Sequence, residues 1–405
     1  MPELSNYDQF QGLHWETGSL RNALAYQGVT APHTGQPYSE AMLLGISGGI
    51  VMGYFTFAYQ GYDPQVQILT RNTFDPLQKI YERLEIQTKV LQTTNPDKGV
   101  KNLMEVLAAG LPAIVYADMF SLPYNTQSYD KGMWAMFPIL VYGFSERADL
   151  VSIADRSRVS LTVTREELAV ARGRTKKNKY RLLTLEPPNP TKLQSAVKAG
   201  IWNCIQLFTQ APPKGSMNNF GFLAYKKWAE NLVKTKGRGS WQQEFPPGGK
   251  MYAALSSAFK NITIFGKERG AEREVYAQFL DEASSLLSNS ALKGIAQQFR
   301  SSAKAWDNLA KTLFPDEVPL FKETRELMLN KHQLFLNQGN AALPEIHQMN
   351  ERLDEIKIQV SKEFPLNSAE SAELNASVRD KVLEIHDIEF MAIKDLQEAM
   401  RHIPE

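Results

Sequence analysis

Pro187-Pro188-Asn189-Pro190 divides this chain into two patterns that do not share one kind of layer. Prolines fix φ and remove backbone donors, so neither a helix interior nor a central strand runs through such a stretch. Before it, short β-rich runs alternate with helical ones. The β-rich runs are Val66–Thr70, Ala113–Ala117, Ile139–Phe144, Leu150–Ala154, Thr162-Val163-Thr164 and Tyr180–Leu185. Helical spacing falls at Thr17–Tyr26, from Ser39 and Glu40 onward, and at Pro76–Leu84, Lys98–Ala109 and Arg165–Arg172. This mixture predicts an α+β fold, a mainly antiparallel sheet with helices around it, followed by an all-helical C-terminal region.

The helical part reads as Thr191–Gln210, Asn219–Val233, Ala271–Leu287 and Leu292–Leu313, with Pro212-Pro213-Lys214-Gly215 and Lys234–Lys250 as loops. Further on, Ile346, Met349, Leu353, Ile356 and Val360 recur at three- and four-residue steps. Leu374, Val378, Val382, Ile385 and Ile388 do the same beyond the break Phe364-Pro365-Leu366-Asn367. An antiparallel helical hairpin with one apolar stripe per helix is expected, the stripe facing the chain's own core or a second copy in a homodimer. The expected domains are 1–186, 191–318 and a helical extension, 319–405.

Composition excludes several classes. Among 405 residues, 45 basic and 44 acidic side chains leave a net charge of +1, too little to draw the chain to nucleic acid or an acidic membrane surface. Cys204 is the one cysteine, which excludes an intrachain disulfide framework and a Cys-rich zinc site and suits a reducing compartment. The start, MPELSNYDQF, has no basic segment followed by an apolar core, so a cytoplasmic location is expected. Ala41–Tyr62 carries no charge and is long enough to span a bilayer. Gly45, Gly48, Gly49 and Gly53 interrupt it and no basic cluster flanks it, so it reads as a helix running into a buried apolar stretch. No metal or cofactor is expected.

Several motifs fail on context. His14-Trp15-Glu16 has the H-x-E of zinc deaminases but lacks the paired cysteines that chemistry needs. Gly45-Ile46-Ser47-Gly48-Gly49 satisfies G-x-S-x-G, yet a helix precedes it where a nucleophile elbow requires a strand. Those glycines are expected to end the helix or admit close backbone approach. Cys204 lies inside an apolar helix, as a buried thiol does. The run from Arg172 to Arg181 is basic but has only Tyr180 among its cations, as a solvated helix end does. His332, His347, His386 and His402 have no partners at metal-ligand spacing and read as surface residues.

The most informative stretch is Gly12–Gly28, where a polar turn leads directly into a helix. Backbone N–H groups near Trp15–Ser19 would make an electropositive mouth, with Thr17 or Ser19 as cap. His14, Glu16, Thr17, Ser19, Arg21 and Asn22 cluster there, so a ligand site and a capped helix start are both compatible with it.

These residues resemble the butirosin biosynthesis protein H family. The resemblance is carried by His14–Asn22, by Tyr38-Ser39-Glu40-Ala41 with Gly45–Gly49, and by Val141-Tyr142-Gly143-Phe144 leading to Ile153-Ala154-Asp155. Residues from Thr191 to Leu313 look like the helical companion domain of unknown function, notably Asn219–Phe222 and Arg273–Ala283. The resemblance implies a papain-like, C39-peptidase-like N-terminal domain from secondary metabolism that moves an acyl group from an acyl carrier protein to an amine. It implies a cysteine before the first helix, a histidine on a central strand and an acid on the next. Here Trp15 stands at the cysteine position, Phe137 at the histidine position, and Asp155 alone remains of the triad.

Two readings follow. In one, an acyltransferase-like or amide/ester-processing cleft works without cysteine on a small-molecule or acyl substrate. There His14, Glu16 or Asp118 would act as acid or base, Ser19 as a nucleophile beside His14, Arg21 and Asn22 as anion holders, and Tyr124 and Asn125 as orienting groups. In the other, the chain is a pseudoenzyme that binds or scaffolds, with Trp15, Trp134 and Phe137 as an apolar wall.

Overall fold

The computed structural model describes residues 4–126, 132–210, 216, 218–266 and 270–401. The Pro212-Pro213-Lys214-Gly215 loop and His402 lie outside the described residues. In chain order the elements are α1 (Trp15–Tyr26), α2 (Glu40–Ile46), β1 (Ile50–Phe57), β2 (Gln65–Arg71), α3 (Pro76–Arg83), β3 (Thr88–Leu91), α4 (Pro96–Ala108), β4 (Ala113–Asp118), β5 (Met136–Ser145), β6 (Leu150–Ala154), β7 (Leu161–Thr164), α5 (Arg165–Gly173) and β8 (Leu182–Leu185). Then come α6 (Leu193–Thr209), α7 (Gly221–Val233), α8 (Trp241–Glu244), α9 (Gly249–Phe259), α10 (Arg273–Leu286), α11 (Ala291–Leu313), α12 (Pro319–Gln338), α13 (Leu343–Lys362) and α14 (Ser368–Arg401). The fold is α+β.

Contacts group the chain into two compact units. One comprises Met1–Leu43, Leu77–Leu193 and Lys331–Gln348, the other Leu44–Pro76, Gln194–Asn330 and Met349–Glu405.

The first unit is built on a six-stranded sheet in the order β3-β8-β4-β5-β6-β7, antiparallel throughout. β5 is central, buried from Pro138 through Phe144, and α1 lies along it. Lys176 and Lys177 of the basic run are exposed as its composition suggests, but Arg172 and Arg174 are not. Arg172 is 2% exposed and donates to the carbonyls of Gly99 (3.3 Å) and Tyr180 (3.2 Å). Arg174 bonds the Met133 carbonyl and sits 3.6 Å from Asp118. Long stems let guanidinium groups reach backbone carbonyls of neighbouring elements.

In the second unit, β1 and β2 form a separate antiparallel pair, Gly53 opposite Leu69 and Phe57 opposite Gln65. The Val66–Thr70 strand therefore does not join the main sheet; its partner is the uncharged run, which is helix α2, then strand β1. Gly48 (φ +107) and Gly49 (φ +69) stop α2, and a Cβ on either would meet Asn203 or Tyr276 within 2.7 Å. Both expected roles of these glycines hold. Ser47 is fully buried and donates to Leu44 O at 2.6 Å, so it is no exposed nucleophile. Among the described residues no helix is long and apolar enough to cross a membrane.

The α14 stripe of Leu374, Val378, Val382 and Ile385 is buried, and its chief neighbours are α7 and α11 rather than α13. His386 is not the surface residue expected: its side chain is 12% exposed, edge-on to Phe222 and Tyr225 and stacked on Phe390. At the centre of this packing lies a fully buried ion pair, Arg273 Nε to Glu389 Oε1 at 2.7 Å. Arg273 also donates to the carbonyls of Thr70 (2.9 Å), Ala271 (2.7 Å) and Val51 (3.1 Å). Glu389 accepts from Tyr225 (2.7 Å), Ser302 (2.6 Å) and Trp306 (3.0 Å).

Burial opposes the Glu389 charge, but the Arg273 guanidinium and these donors outweigh it and hold the carboxyl below its usual range. Removing one partner strands the other charge, so Glu389→Ala should cost about 3–5 kcal/mol in denaturant unfolding. A depressed folded pKa stabilises fully above the unfolded value, about 4.3, and that stability is lost as pH falls through the folded value. Glu389→Gln should accordingly flatten the acid side of the stability–pH curve.

Candidate functional site

The turn before α1 is held from several sides. Gly12 and Gly18 pass so closely that a Cβ on Gly12 would lie 2.3 Å from the Gly18 carbonyl oxygen. Gly12 N donates to Asn22 Oδ1 (3.0 Å) and Leu13 N to Glu40 Oε2 (2.8 Å). The N-cap is His14, not Thr17 or Ser19: its Nδ1 accepts from Glu16 N at 3.3 Å. An imidazole nitrogen serves here because it accepts when it carries no proton. The two hydroxyls are committed elsewhere, Thr17 donating to Glu40 Oε1 (2.8 Å) and Ser19 to the Pro138 carbonyl of β5 (3.2 Å). Proline leaves no ladder donor at that position, and the serine lies on the helix face above it.

Arg21 and Asn22 belong to the same scaffold. Arg21 is 8% exposed and donates to Gln11 Oε1 (2.6 Å) and Asn22 Oδ1 (3.2 Å). Burial lowers its pKa, against the opposing pull of Glu40 and Tyr7. Their polar ends brace the Gly12 turn instead of facing a substrate. Asp118, also fully buried, accepts from Ala135 N (2.8 Å) and Ser121 Oγ (2.7 Å), closing the base of the β4–β5 connection. With Arg174 beside it, this carboxylate is a structural anchor and not an exposed base.

Trp15 and Phe137 come together as parallel rings, centroids 4.2 Å apart and planes at 15°. The Arg156 guanidinium lies 4.3 Å from the Trp15 ring and 5.1 Å from the ring of Phe335, near the end of α12. Asp155, 3% exposed, accepts from Arg156 N (2.8 Å), Nε (3.2 Å) and Nη2 (3.2 Å), and from Tyr124 Oη (3.2 Å). Asn125 accepts from Arg156 and donates to the Met119 carbonyl at 3.1 Å. Burial, and then the Asp155 charge, push the Tyr124 hydroxyl well above its ordinary pKa, so it stays a donor. Trp134 takes no part in the wall expected of it: it is 59% exposed on the approach to β5.

Of the three residues that the resemblance put at the triad positions, Trp15 and Asp155 meet the Arg156 guanidinium and Phe137 stacks on Trp15. The cluster combines ring stacking, a cation over an aromatic face and a fully hydrogen-bonded carboxylate. His14 Nδ1 and Glu16 Oε2 lie 4.0 Å apart, with the two side chains 11% and 26% exposed. Among the described residues no group of three His, Cys, Asp or Glu side chains is placed to share a metal ion.

The sequence pairs Asp155 with Arg156 but does not point to Arg156 as the centre of the cluster. Glu40 carried a signal only as a first-turn acid, and Phe335 none, since nothing local links it to a strand so far upstream.

Residues 14–156 match the family described as Butirosin biosynthesis protein H, N-terminal. Residues 166–319 match a Domain of unknown function (DUF4872). The chain belongs to the butirosin biosynthesis protein H-like family, with the N-terminal domain followed by its companion domain. A search of curated proteins finds no match.

Removing the indole should collapse the cluster. Trp15→Ala is expected to lower unfolding stability by about 3–5 kcal/mol. A double-mutant cycle of Trp15→Ala with Arg156→Ala should return a favourable coupling of about 0.5–2 kcal/mol in urea unfolding.

Proposed function

We propose that this chain is a non-catalytic, cytoplasmic member of its family, which uses a papain-like (C39-peptidase-like) domain to bind rather than to transfer. The observation that carries this reading is the Trp15–Phe137 stack with Arg156 laid over it. Neither ring can attack an acyl carbon or carry a proton, and the acid that would orient a histidine is saturated by Arg156 and Tyr124. Ser19, Arg21, Asn22 and Asp118 are each engaged in holding the framework, which removes them as nucleophile, anion holder or base. A small molecule, an acyl group or an acyl carrier protein would then be held without bond cleavage.

The competing reading, acyl or amide/ester processing without cysteine, rests on His14 and Glu16, which stand near each other and keep some exposure. Assay of the full chain with an N-acetylcysteamine thioester and a p-nitrophenyl ester separates the two. Hydrolysis and transfer to amines at the buffer rate are expected, unchanged in His14→Ala and Glu16→Ala variants of native-like circular dichroism. Turnover above buffer that falls at least tenfold in either variant would establish the competing reading instead.

A further inference from the structure

The inner stripe of α14 is consumed within its own unit, but the opposite side of the helix carries a second, exposed stripe. Leu383 is 37% exposed, Phe390 48% and Met391 50%. Phe390 is continuous with Phe222 (ring centroids 5.3 Å) and with His386, stacked at 6.1 Å, so these side chains form one patch. Contiguous exposed aromatic and aliphatic groups on a soluble surface mark an interaction site more often than scattered ones do.

The charges bordering this patch indicate what covers it. Asp380, ion-paired with Arg379 of its own helix at 2.7 Å, lies on its N-terminal side, and the exposed Lys394 on its C-terminal side. A second α14 laid antiparallel across a two-fold axis at Asp387 places Asp380 opposite Lys394 of the other copy. The same register sets Leu383 opposite Met391 and flanks both with Phe390. A two-fold interface must be complementary to itself, and an antiparallel helix whose paired ends carry opposite signs meets that condition. The matched stretch runs from residue 380 to 394, about four helical turns. The like charges that meet on the axis are the two Asp387 carboxylates, each hydrogen-bonded to its own His386 Nδ1 at 2.8 Å.

We infer that the outer face of α14 is a homodimer interface, two copies of the chain pairing antiparallel through Leu383, Phe390 and Met391 with Asp380 against Lys394. The α14 residues of the patch lie beyond the segments matched by either family, whereas Phe222 lies within the second.

Sedimentation velocity of the full chain from about 1 to 100 μM tests it. The wild type should sediment as a dimer of two 45.7 kDa chains. Phe390→Glu should be monomeric with an unchanged circular dichroism spectrum. Asp380→Lys and Lys394→Glu should each weaken dimerisation tenfold or more, and the two together should restore it, because the swapped charges again face each other. Asp387→Asn should tighten the dimer by relieving repulsion at the axis. A wild type that stays monomeric at 100 μM, or a Phe390→Glu variant that stays dimeric, overturns the interface. Failure of the charge swap to rescue, or weakening by Asp387→Asn, overturns the antiparallel pairing.

Discussion

A guanidinium shut away from water must find acceptors for its N–H groups inside the protein, and Arg273 finds them on β1, β2 and α14 as well as on its own segment. Its partner Glu389 gathers donors from α7 and α11. One buried pair therefore connects six elements of the second unit, and none of them can shift without leaving a charged or polar atom unsatisfied. Such a pair adds little net stability over a well-packed apolar core. It does penalise every arrangement of those helices except one, which specifies where α14 lies.

The first unit uses the same chemistry at the position where its family resemblance calls for catalysis. Arg156 lies on Trp15 and Phe335 and fills the Asp155 carboxylate, so the centre of the cluster is charge-balanced and closed. Trp15, Phe335, Asn125 and Asp155 meet the Arg156 guanidinium directly, while Phe137 stacks on Trp15 and Tyr124 donates to Asp155. The cluster is assembled from five separate stretches of chain, at Trp15, Tyr124 and Asn125, Phe137, Asp155 and Arg156, and Phe335.

Much of this was legible beforehand. The antiparallel sheet followed from β-rich runs between Gly and Pro, the helical part from apolar spacing, and the family from His14–Asn22 and the strand leading to Asp155. The uncharged run was recognised as buried, but its period could not separate strand from helix interior, so β1 and its pairing with β2 were missed. Burial of Arg172 and His386 was hidden because local sequence reports a side chain's charge and not the carbonyls or rings that surround it. The sequence groups Thr17, Ser19, Arg21 and Asn22 at one helix start, yet their bonds depend on partners such as Glu40, Gln11 and Pro138 that only tertiary structure supplies. Phe335 had no local signal at all.

The separation of Arg273 from Glu389 along the chain has a consequence for synthesis. The carboxylate leaves the ribosome 116 residues after the guanidinium it neutralises. At 5–20 residues per second that is a delay of roughly 6–23 s, during which β1, β2, α7, α10 and α11 exist without their central counter-charge. The second unit cannot close on itself as its helices emerge. It must wait, with its apolar faces open to chaperones or to premature contacts, until the last long helix arrives to complete it.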